Sequence, residues 1–202
     1  MRLDQQTLEK GVSFLIGVDA DLAKVIHDFG NPPLWPREPG FPTLVHIILE
    51  QQVSLASANA AFKKLNDSVG HLTPEKFLEF TDDELRKFGF SRQKTRYCRF
   101  LSEAITNGDF DFEELHQMDD SSVRNKLIEL KGIGPWTANI YLLMALLRPD
   151  IWPPGDLALA KALQAVKNLP TTPDAETQEK IAAQWMPWRA VGARILWHYY
   201  LS

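Results

Sequence analysis

Cysteine is almost absent from this sequence, since Cys98 is the only one among 202 residues. A single cysteine excludes an internal disulfide and any four-cysteine site for zinc or an iron–sulfur cluster. Long apolar runs are missing as well, because the longest stretch without polar side chains other than Tyr, residues 140–147, is too short to span a bilayer. The first residues, MRLDQQTLEKG, lack the apolar core of a signal peptide. We therefore expect a soluble intracellular protein without membrane contacts, in the cytoplasm and nucleoid, or in the nucleus if the source is eukaryotic.

An excess of positive charge is also missing, because 22 Lys and Arg against 26 Asp and Glu leave a net charge of −4. DNA-binding domains tend to be basic, so this balance argues weakly against nucleic acid. A basic patch can nevertheless form on a chain of net negative charge. Considered alone, a basic run is most often a solvated helix face. Residues 86–99 contain no acidic side chain and six basic ones: Arg86, Lys87, Arg92, Lys94, Arg96 and Arg99.

The apolar residues follow helical rather than alternating periodicity along almost the whole chain. Phe41, Leu44, Val45, Ile48 and Leu49, for example, obey the i, i+3, i+4, i+7, i+8 spacing of one helix face. No internal repeat and no pair of strands is recognisable, so we predict an all-α fold. The predicted helices span about residues 4–17, 19–29, 41–50, 54–68, 74–80, 82–88, 92–107, 111–117, 120–130, 135–147, 157–168, 173–185 and 187–200.

Two loops rich in proline and glycine, residues 31–40 and 148–155, interrupt this helical pattern. We interpret them as crossings between two helical lobes of one module that spans the whole chain. The first lobe is predicted to contain residues 41–148, and the second to contain residues 1–40 together with residues 149–202. Two lobes of this kind leave a cleft between them, which is a usual place for an active site.

The segment LKGIGPWTA at residues 130–138 lies between two predicted helices and is the most distinctive part of the sequence. Its two glycines permit a tight turn, and Pro135 suits the first position of the helix that follows. A glycine-rich turn before a helix offers backbone N–H groups and a positive dipole end, which favour an anion such as phosphate. Lys131 adds a positive charge beside this turn. A simple αα-hairpin without a ligand explains the same residues, so composition leaves both interpretations open.

The same segment resembles the helix-hairpin-helix motif of the base-excision DNA glycosylase superfamily. Two further segments, ILEQQVS at residues 48–54 and WPPGDLAL at residues 152–159, are similar to the branch that repairs alkylated bases, the 3-methyladenine DNA glycosylase II family. The order and spacing of the three segments match that family, and the resemblance extends over residues 40–200. It implies an all-α, two-lobed glycosylase fold with the active site in the cleft between the lobes.

The resemblance assigns roles to individual residues around the damaged base. Asp156 matches the catalytic aspartate, although on sequence alone it could simply cap the helix that follows. Trp136 and Trp197 match aromatic residues that line the pocket of the flipped base. Ile140 and Leu157 occupy pocket positions where some members of the family carry tyrosine. These four residues are therefore expected to form a base pocket next to the catalytic aspartate.

The resemblance also implies a DNA-binding surface and a cation site. Gln52 matches the residue that wedges into the gap left by the flipped base. The hairpin carbonyls of Ile128, Leu130 and Gly132 match a family site for a structural monovalent cation, Na+ or K+, and no other cofactor is implied. The expected DNA contacts are made by Gln51, Gln52, Lys131, Gly132, Ile133, Gly134 and Thr137.

The function implied by the resemblance is base-excision repair of alkylated duplex DNA. The enzyme would flip out bases of the 3-methyladenine and 7-methylguanine type and hydrolyse the N-glycosidic bond, which leaves an abasic site. A lyase step is not expected, because bifunctional members carry a lysine nucleophile where this chain has Trp136. The alternatives are a non-catalytic helix-hairpin-helix DNA-binding protein and a glycosylase of the same superfamily with another lesion specificity. We expect a monomer that acts on double-stranded DNA.

Overall fold

Twelve α-helices and one short 3-10 helix form the regular structure of residues 2–202, the part of the chain that the computed structural model describes. No β-strand occurs among these residues, so the predicted all-α fold is confirmed. None of their helices combines the length and apolar character needed to cross a bilayer. The 3-10 helix spans Glu113–Gln117. The α-helices are α1 (Gln5–Val18), α2 (Ala20–Phe29), α3 (Phe41–Glu50), α4 (Leu55–Val69), α5 (Pro74–Glu79), α6 (Asp82–Phe88), α7 (Arg92–Thr106), α8 (Asp120–Ile128), α9 (Pro135–Met144), α10 (Leu157–Val166), α11 (Ala175–Ala183) and α12 (Arg189–Leu201).

Short polar side chains fix the start of most of these helices. Thr81 and Glu84, for example, accept hydrogen bonds from each other's backbone N–H groups in a capping box before α6. Each cap of this kind contributes about 0.5–2 kcal/mol. The residues whose side chains accept a first-turn N–H are Asp4, Asp19, Ser54, Thr73, Thr81, Ser91, Asp119, Asp156 and Asp174.

The observed helix bounds differ from the predicted ones by at most three residues, and three of the ends illustrate why. α9 ends at Met144 instead of residue 147, because Leu147 has a left-handed backbone with a φ of +53° that no helix can continue. α11 begins at Ala175 instead of residue 173, because the Asp174 carboxylate caps its first turn. α12 begins at Arg189, two residues later than predicted.

The chain divides into two compact units. The central unit comprises Arg37–Tyr141 and contains α3 to α8 with most of α9. The discontinuous unit comprises Leu142–Ser202 together with the residues up to Pro36, and it contains α1, α2 and α10 to α12. The sequence placed the corresponding boundaries at residues 41 and 148, so the central unit begins four residues and ends seven residues earlier than predicted.

Polar contacts explain both shifts of the boundary. Arg37 belongs to the central unit because its guanidinium makes two hydrogen bonds, of 2.7 and 3.0 Å, to the buried Glu50 carboxylate of α3. Leu143 belongs to the discontinuous unit because its carbonyl accepts a hydrogen bond of 2.8 Å from Arg194 in α12. Neither contact can be recognised from neighbouring residues in the sequence, because the paired residues lie 13 and 51 positions apart.

α3 lies at the centre of the core of the central unit, where it packs against α4 and α7. Its residues Leu44, Val45, Ile47 and Ile48 are completely buried. Full burial of one such side chain stabilises the fold by about 1.5–3 kcal/mol. The end of α3 is thereby fixed, and with it the start of the loop that begins at Gln51.

Arg194 organises the discontinuous unit, in which α12 packs against α1, α2, α10 and α11. Its fully buried guanidinium donates hydrogen bonds to the carbonyls of Leu34, Leu143 and Ala190 at 2.8–3.0 Å. Burial lowers the pKa of Arg194 to about 9, so the side chain remains charged at neutral pH. Two other chain segments, at Leu34 and Leu143, are therefore tied to α12, which also carries Trp197.

Candidate functional site

Gly132 has two reasons to be glycine in the hairpin between α8 and α9. Its φ of +92° lies in the region that favours glycine. In addition, a Cβ atom at this position would overlap the ring of Tyr97 from α7. Gly134 is different, because a Cβ added there would meet no atom within 4 Å. The hairpin is thus packed against α7 at Gly132 and open at Gly134.

Ile133 has a structural role in the hairpin, while its DNA contact stays a prediction. Its side chain is buried, and its N–H donates to the Leu130 carbonyl at 3.0 Å, so this donor is not available to a phosphate. α9 begins at Pro135, and the first N–H groups of a helix have no intrahelical acceptor. The donors for an anion are therefore expected after Ile133. Lys131 is exposed, with its Nζ 4.2 Å from the centroid of the Phe100 ring.

The loop after α3 is attached to the hairpin through Gln51. The Gln51 Nε2 donates to the carbonyl oxygen of Gly132 at 3.0 Å and to the Oγ1 of Thr137 at 2.9 Å. Thr137 is buried, so its hydroxyl serves this contact and only its backbone N–H remains for the predicted DNA contact. Gln52 is exposed and has a left-handed backbone, with a φ of +56°. Sequence reasoning missed the contacts of Gln51, because nothing local links positions 81 and 86 residues apart.

Some side chains of the basic run at residues 86–99 make hydrogen bonds within the protein. Lys94 donates to the Leu49 carbonyl at 2.7 Å, and burial lowers the pKa of its ammonium group. Arg99 binds the Asp82 carboxylate, so Lys94 and Arg99 are both less available to DNA. Arg92 and Arg96 are exposed on α7 and remain candidates for phosphate contacts.

The hairpin carbonyls of Leu130 and Gly132 keep acceptor capacity, which the predicted site for a monovalent cation requires. The Leu130 carbonyl accepts one hydrogen bond from Ile133, and the Gly132 carbonyl accepts one from Gln51. Each carbonyl oxygen has two lone pairs, so each of these two oxygens keeps one for another partner. Ile128 is the last residue of α8, where the helix dipole is negative. Residues 2–202 contain no group of three His, Cys, Asp or Glu side chains arranged for a metal, so side chains offer no competing site there.

Asp156 is held in one orientation by two hydrogen bonds that end on the same oxygen. Its Oδ1 accepts the N–H of Leu159 at 2.9 Å as the cap of α10, and the indole N–H of Trp197 at 3.3 Å. Gly155 precedes it with a φ of +81°, which turns the chain sharply before the helix. The carboxylate is half-buried. Capping and a chemical role are therefore compatible in this residue.

Asp150, the nearest other carboxylate before Asp156 in the sequence, is engaged in an ion pair. The Arg189 side chain donates to the two Asp150 carboxylate oxygens at 2.7 and 2.9 Å, in a bidentate arrangement. Both oxygens of this carboxylate are therefore occupied by Arg189. This ion pair was not foreseen from the sequence.

The predicted pocket residues differ in exposure. Trp197 is 8% exposed and Ile140 4% exposed, whereas Trp136 is half-buried. Leu157 is 64% exposed, so most of its side chain lies in solvent. The structure brings Trp197 and Asp156 into contact within the discontinuous unit, while Trp136 and Ile140 belong to the central unit. The participation of these residues in one base pocket stays a prediction.

Comparison with known sequences identifies the family. The profile of the HhH-GPD superfamily of base excision DNA repair proteins matches residues 45–187, which is more than half of the chain. The chain belongs to this superfamily. The matched residues include Gln51, the hairpin and Asp156, whereas Trp197 lies beyond them. The resemblance that the three sequence segments indicated is thereby confirmed.

Individual relatives are similar over most of the chain. DNA-3-methyladenine glycosylase 1 of Schizosaccharomyces pombe is 27% identical over 199 residues, which cover 95% of this chain and 87% of that protein. The Bacillus subtilis protein YfjP is 28% identical over 184 residues, which cover 87% of this chain but only 64% of that protein, so this chain spans less than two thirds of its length. The solved structure of Schizosaccharomyces pombe 3-methyladenine DNA glycosylase (Mag1) in complex with abasic DNA is 26% identical and has a TM-score of 0.88, over 93% of this chain and 95% of that chain. This chain therefore has the helical fold of the superfamily.

Proposed function

We propose that this protein excises alkylated bases from double-stranded DNA by hydrolysing the N-glycosidic bond. The observation that carries the proposal is the Asp156 carboxylate, which α10 and Trp197 hold in place in a chain with the superfamily hairpin. The comparisons support it, since a relative is named DNA-3-methyladenine glycosylase 1 and the structure of a 3-methyladenine DNA glycosylase from the same organism was solved with abasic DNA. Hydrolysis of the bond to an alkylated base leaves an abasic site.

Asp156 would stabilise the positive charge that develops on the sugar during this reaction. When the N-glycosidic bond breaks, its electron pair leaves with the base and the sugar acquires oxocarbenium character. A carboxylate close to C1′ stabilises this charge and orients a water molecule, whose oxygen forms the new bond to C1′ and whose proton passes to solvent. A cationic alkylated purine leaves as a neutral molecule, so this reaction needs no general acid.

The hairpin would hold the DNA backbone while the damaged nucleotide is flipped out. The N-terminus of α9 and the exposed Lys131 both attract a phosphate group. The carbonyls of Ile128, Leu130 and Gly132 would hold a Na+ or K+ ion, which supplies positive charge toward the same phosphate when it is bound. Gln52, exposed and with a strained backbone, is the proposed wedge at the lesion.

Cationic methylpurines are expected to be released faster than neutral lesions such as hypoxanthine, ethenoadenine or 8-oxoguanine. A neutral base needs a proton from an acid, and Asp150 is engaged by Arg189. An aromatic ring such as that of Trp197 also attracts a cation, by about 0.5–2 kcal/mol. Single-turnover release from matched duplexes, corrected for spontaneous loss, measures the order. Fastest release of a neutral lesion contradicts the proposed specificity, and release of no base at all contradicts the proposed function.

The reaction is expected to stop at an intact abasic strand. A lyase step requires an amine that attacks C1′ and forms a Schiff base with the sugar. The position at which bifunctional members carry their lysine is Trp136 here. Borohydride treatment during turnover should therefore trap no covalent adduct. A borohydride-stable complex between protein and DNA would show that another amine serves as a nucleophile.

DNA affinity is expected to fall steeply with salt although the chain is acidic. Each neutralised phosphate contributes about −0.9 to the slope of log K against log[salt]. Replacing the exposed Lys131 by Ala should therefore reduce the magnitude of the slope by about 0.9 for every DNA sequence. Lys180→Ala is the control, because Lys180 is an exposed lysine of α11 paired with Glu176. An unchanged slope in the Lys131 variant would remove this residue from the phosphate contacts.

A further inference from the structure

Three consecutive residues at the end of α3 are each tied to a distant part of the central unit. The Leu49 carbonyl accepts a hydrogen bond from Lys94 of α7 at 2.7 Å. The Glu50 carboxylate is bound by Arg37 at 2.7 and 3.0 Å. The Gln51 side chain then donates to the hairpin. Gln52, the next residue, is exposed and strained, so the anchoring stops immediately before the proposed wedge.

The contacts of Gln51 use both hydrogens of its amide nitrogen, so this amide has no N–H donor left for the DNA contact that the sequence suggested. A side-chain amide has two N–H donors, and here the acceptors are the Gly132 carbonyl and the Thr137 hydroxyl. Thr137 is only 2% exposed, and removal of the amide would leave its hydroxyl without this donor. The contacts therefore link the loop to the hairpin at two points, at Gly132 in the turn itself and at Thr137 in the first turn of α9.

α7 contacts both the end of α3 and the hairpin. Lys94 binds the end of α3, and the ring of Tyr97 lies against Gly132. These two residues are three positions apart and hence lie on one face of the helix. The loop and the hairpin are thus fixed to one another directly and through a shared support.

We propose that Gln51 is a positioning residue that sets the distance between the phosphate-binding hairpin and the wedge residue Gln52, an inference that rests on the proposed function. Phosphate binding at the hairpin then places Gln52 at the flipped nucleotide without a rearrangement of the loop. Without the contacts, the loop can relax from the strained backbone of Gln52, whereas the hairpin still binds phosphates. Recognition of a damaged site depends on Gln51, and affinity for undamaged DNA does not.

The test compares the affinities of each variant for an abasic duplex and for the same duplex without damage. Gln51→Ala is expected to reduce the ratio of the affinity for the abasic duplex to the affinity for the undamaged duplex by about tenfold. The affinity for the undamaged duplex should change by less than about twofold. Gln51→Glu keeps the size of the side chain but has no N–H donor, so the same loss is expected. Unfolding temperatures are measured for each variant, since general destabilisation would weaken both affinities alike.

Thr137 provides the matched variants. Thr137→Val removes the acceptor with little change in shape and should also lower the ratio, while Thr137→Ser retains a hydroxyl and should restore it. Gln51→Ala and Thr137→Val should be non-additive, because they remove the same contact. Gln52→Ala and Thr137→Val should instead be nearly additive. If Gln51→Ala does not fold, the isosteric Thr137→Val carries the same comparison.

The outcomes separate this inference from the proposed function. If the wild-type protein prefers abasic DNA and Gln51→Ala preserves that preference, the positioning role is wrong and the function stands. Additivity of Gln51→Ala with Thr137→Val also overturns the positioning role, because it indicates that Gln51 contacts DNA directly. If the wild-type protein neither prefers abasic DNA nor releases alkylated bases, the proposed function fails and the inference fails with it.

Discussion

Replacement of Asp156 by asparagine is expected to slow the release of alkylated bases by about 10²–10³-fold or more, with little change in the Kd for abasic DNA. The asparagine oxygen can accept the hydrogen bonds that Leu159 and Trp197 donate to Asp156, so the start of α10 is retained. The neutral amide cannot stabilise the positive charge on the sugar. Single-turnover release of 3-methyladenine and 7-methylguanine measures the first effect, and fluorescence anisotropy with an abasic duplex measures the second.

Asp174→Asn is the matched control for this experiment. Asp174 also caps a helix, and its carboxylate accepts the N–H of Thr177 at 2.8 Å. The same chemical change at this position should leave base release at the wild-type rate. A wild-type rate in the Asp156→Asn protein would exclude a catalytic role for Asp156.

Replacement of Gly132 by alanine is expected to destabilise the protein by about 2–5 kcal/mol. The added methyl group would overlap the Tyr97 ring, and overpacking typically costs about 1–3 kcal/mol. The φ of +92° adds about 1–2 kcal/mol for a residue with a Cβ. Denaturant unfolding measures the difference. A stability within about 0.5 kcal/mol of the wild type would show that the hairpin is not packed against α7 as described.

Gly134→Ala, in contrast to Gly132→Ala, is expected to leave the stability unchanged and to weaken DNA binding. No atom lies within 4 Å of the added Cβ, and the backbone conformation here is open to alanine. Its methyl group would occupy the space through which a phosphate approaches the N–H groups of the hairpin. Affinity for undamaged and abasic duplexes should fall together, because the phosphate contact is common to both. Unchanged affinity for both duplexes would place the DNA elsewhere.

Local structure was largely predictable from the sequence. Helix periodicity and the capping pattern of Thr81 with Glu84 depend on residues a few positions apart, and the structure has both. The same holds for the hairpin, in which two glycines and Pro135 specify a turn followed by a helix. Asp156 was recognised both as a cap and as a candidate catalytic group, and its capping role is confirmed.

Contacts between distant residues were not predictable. Nothing in the sequence shows that Tyr97 restricts Gly132, that Gln51 binds Thr137, or that Arg189 engages Asp150. Each contact depends on how whole helices pack against each other, and no local pattern in the sequence indicates this packing. The resemblance to a family supplied the roles of site residues, but it did not distinguish residues exposed to DNA from those, such as Ile133, that serve the core.

The discontinuous unit also constrains the order in which the protein can be completed during synthesis. Asp19 is bound by Lys167 and Trp185, which follow it by 148 and 166 residues, and the Leu34 carbonyl is bound by Arg194, 160 residues later. The central unit is one contiguous segment, so it can form its own core on the ribosome before the last helices exist. α1 and α2 are consequently secured only after the central unit, when the segment from Lys167 to Arg194 emerges and supplies the partners of Asp19 and of the Leu34 carbonyl.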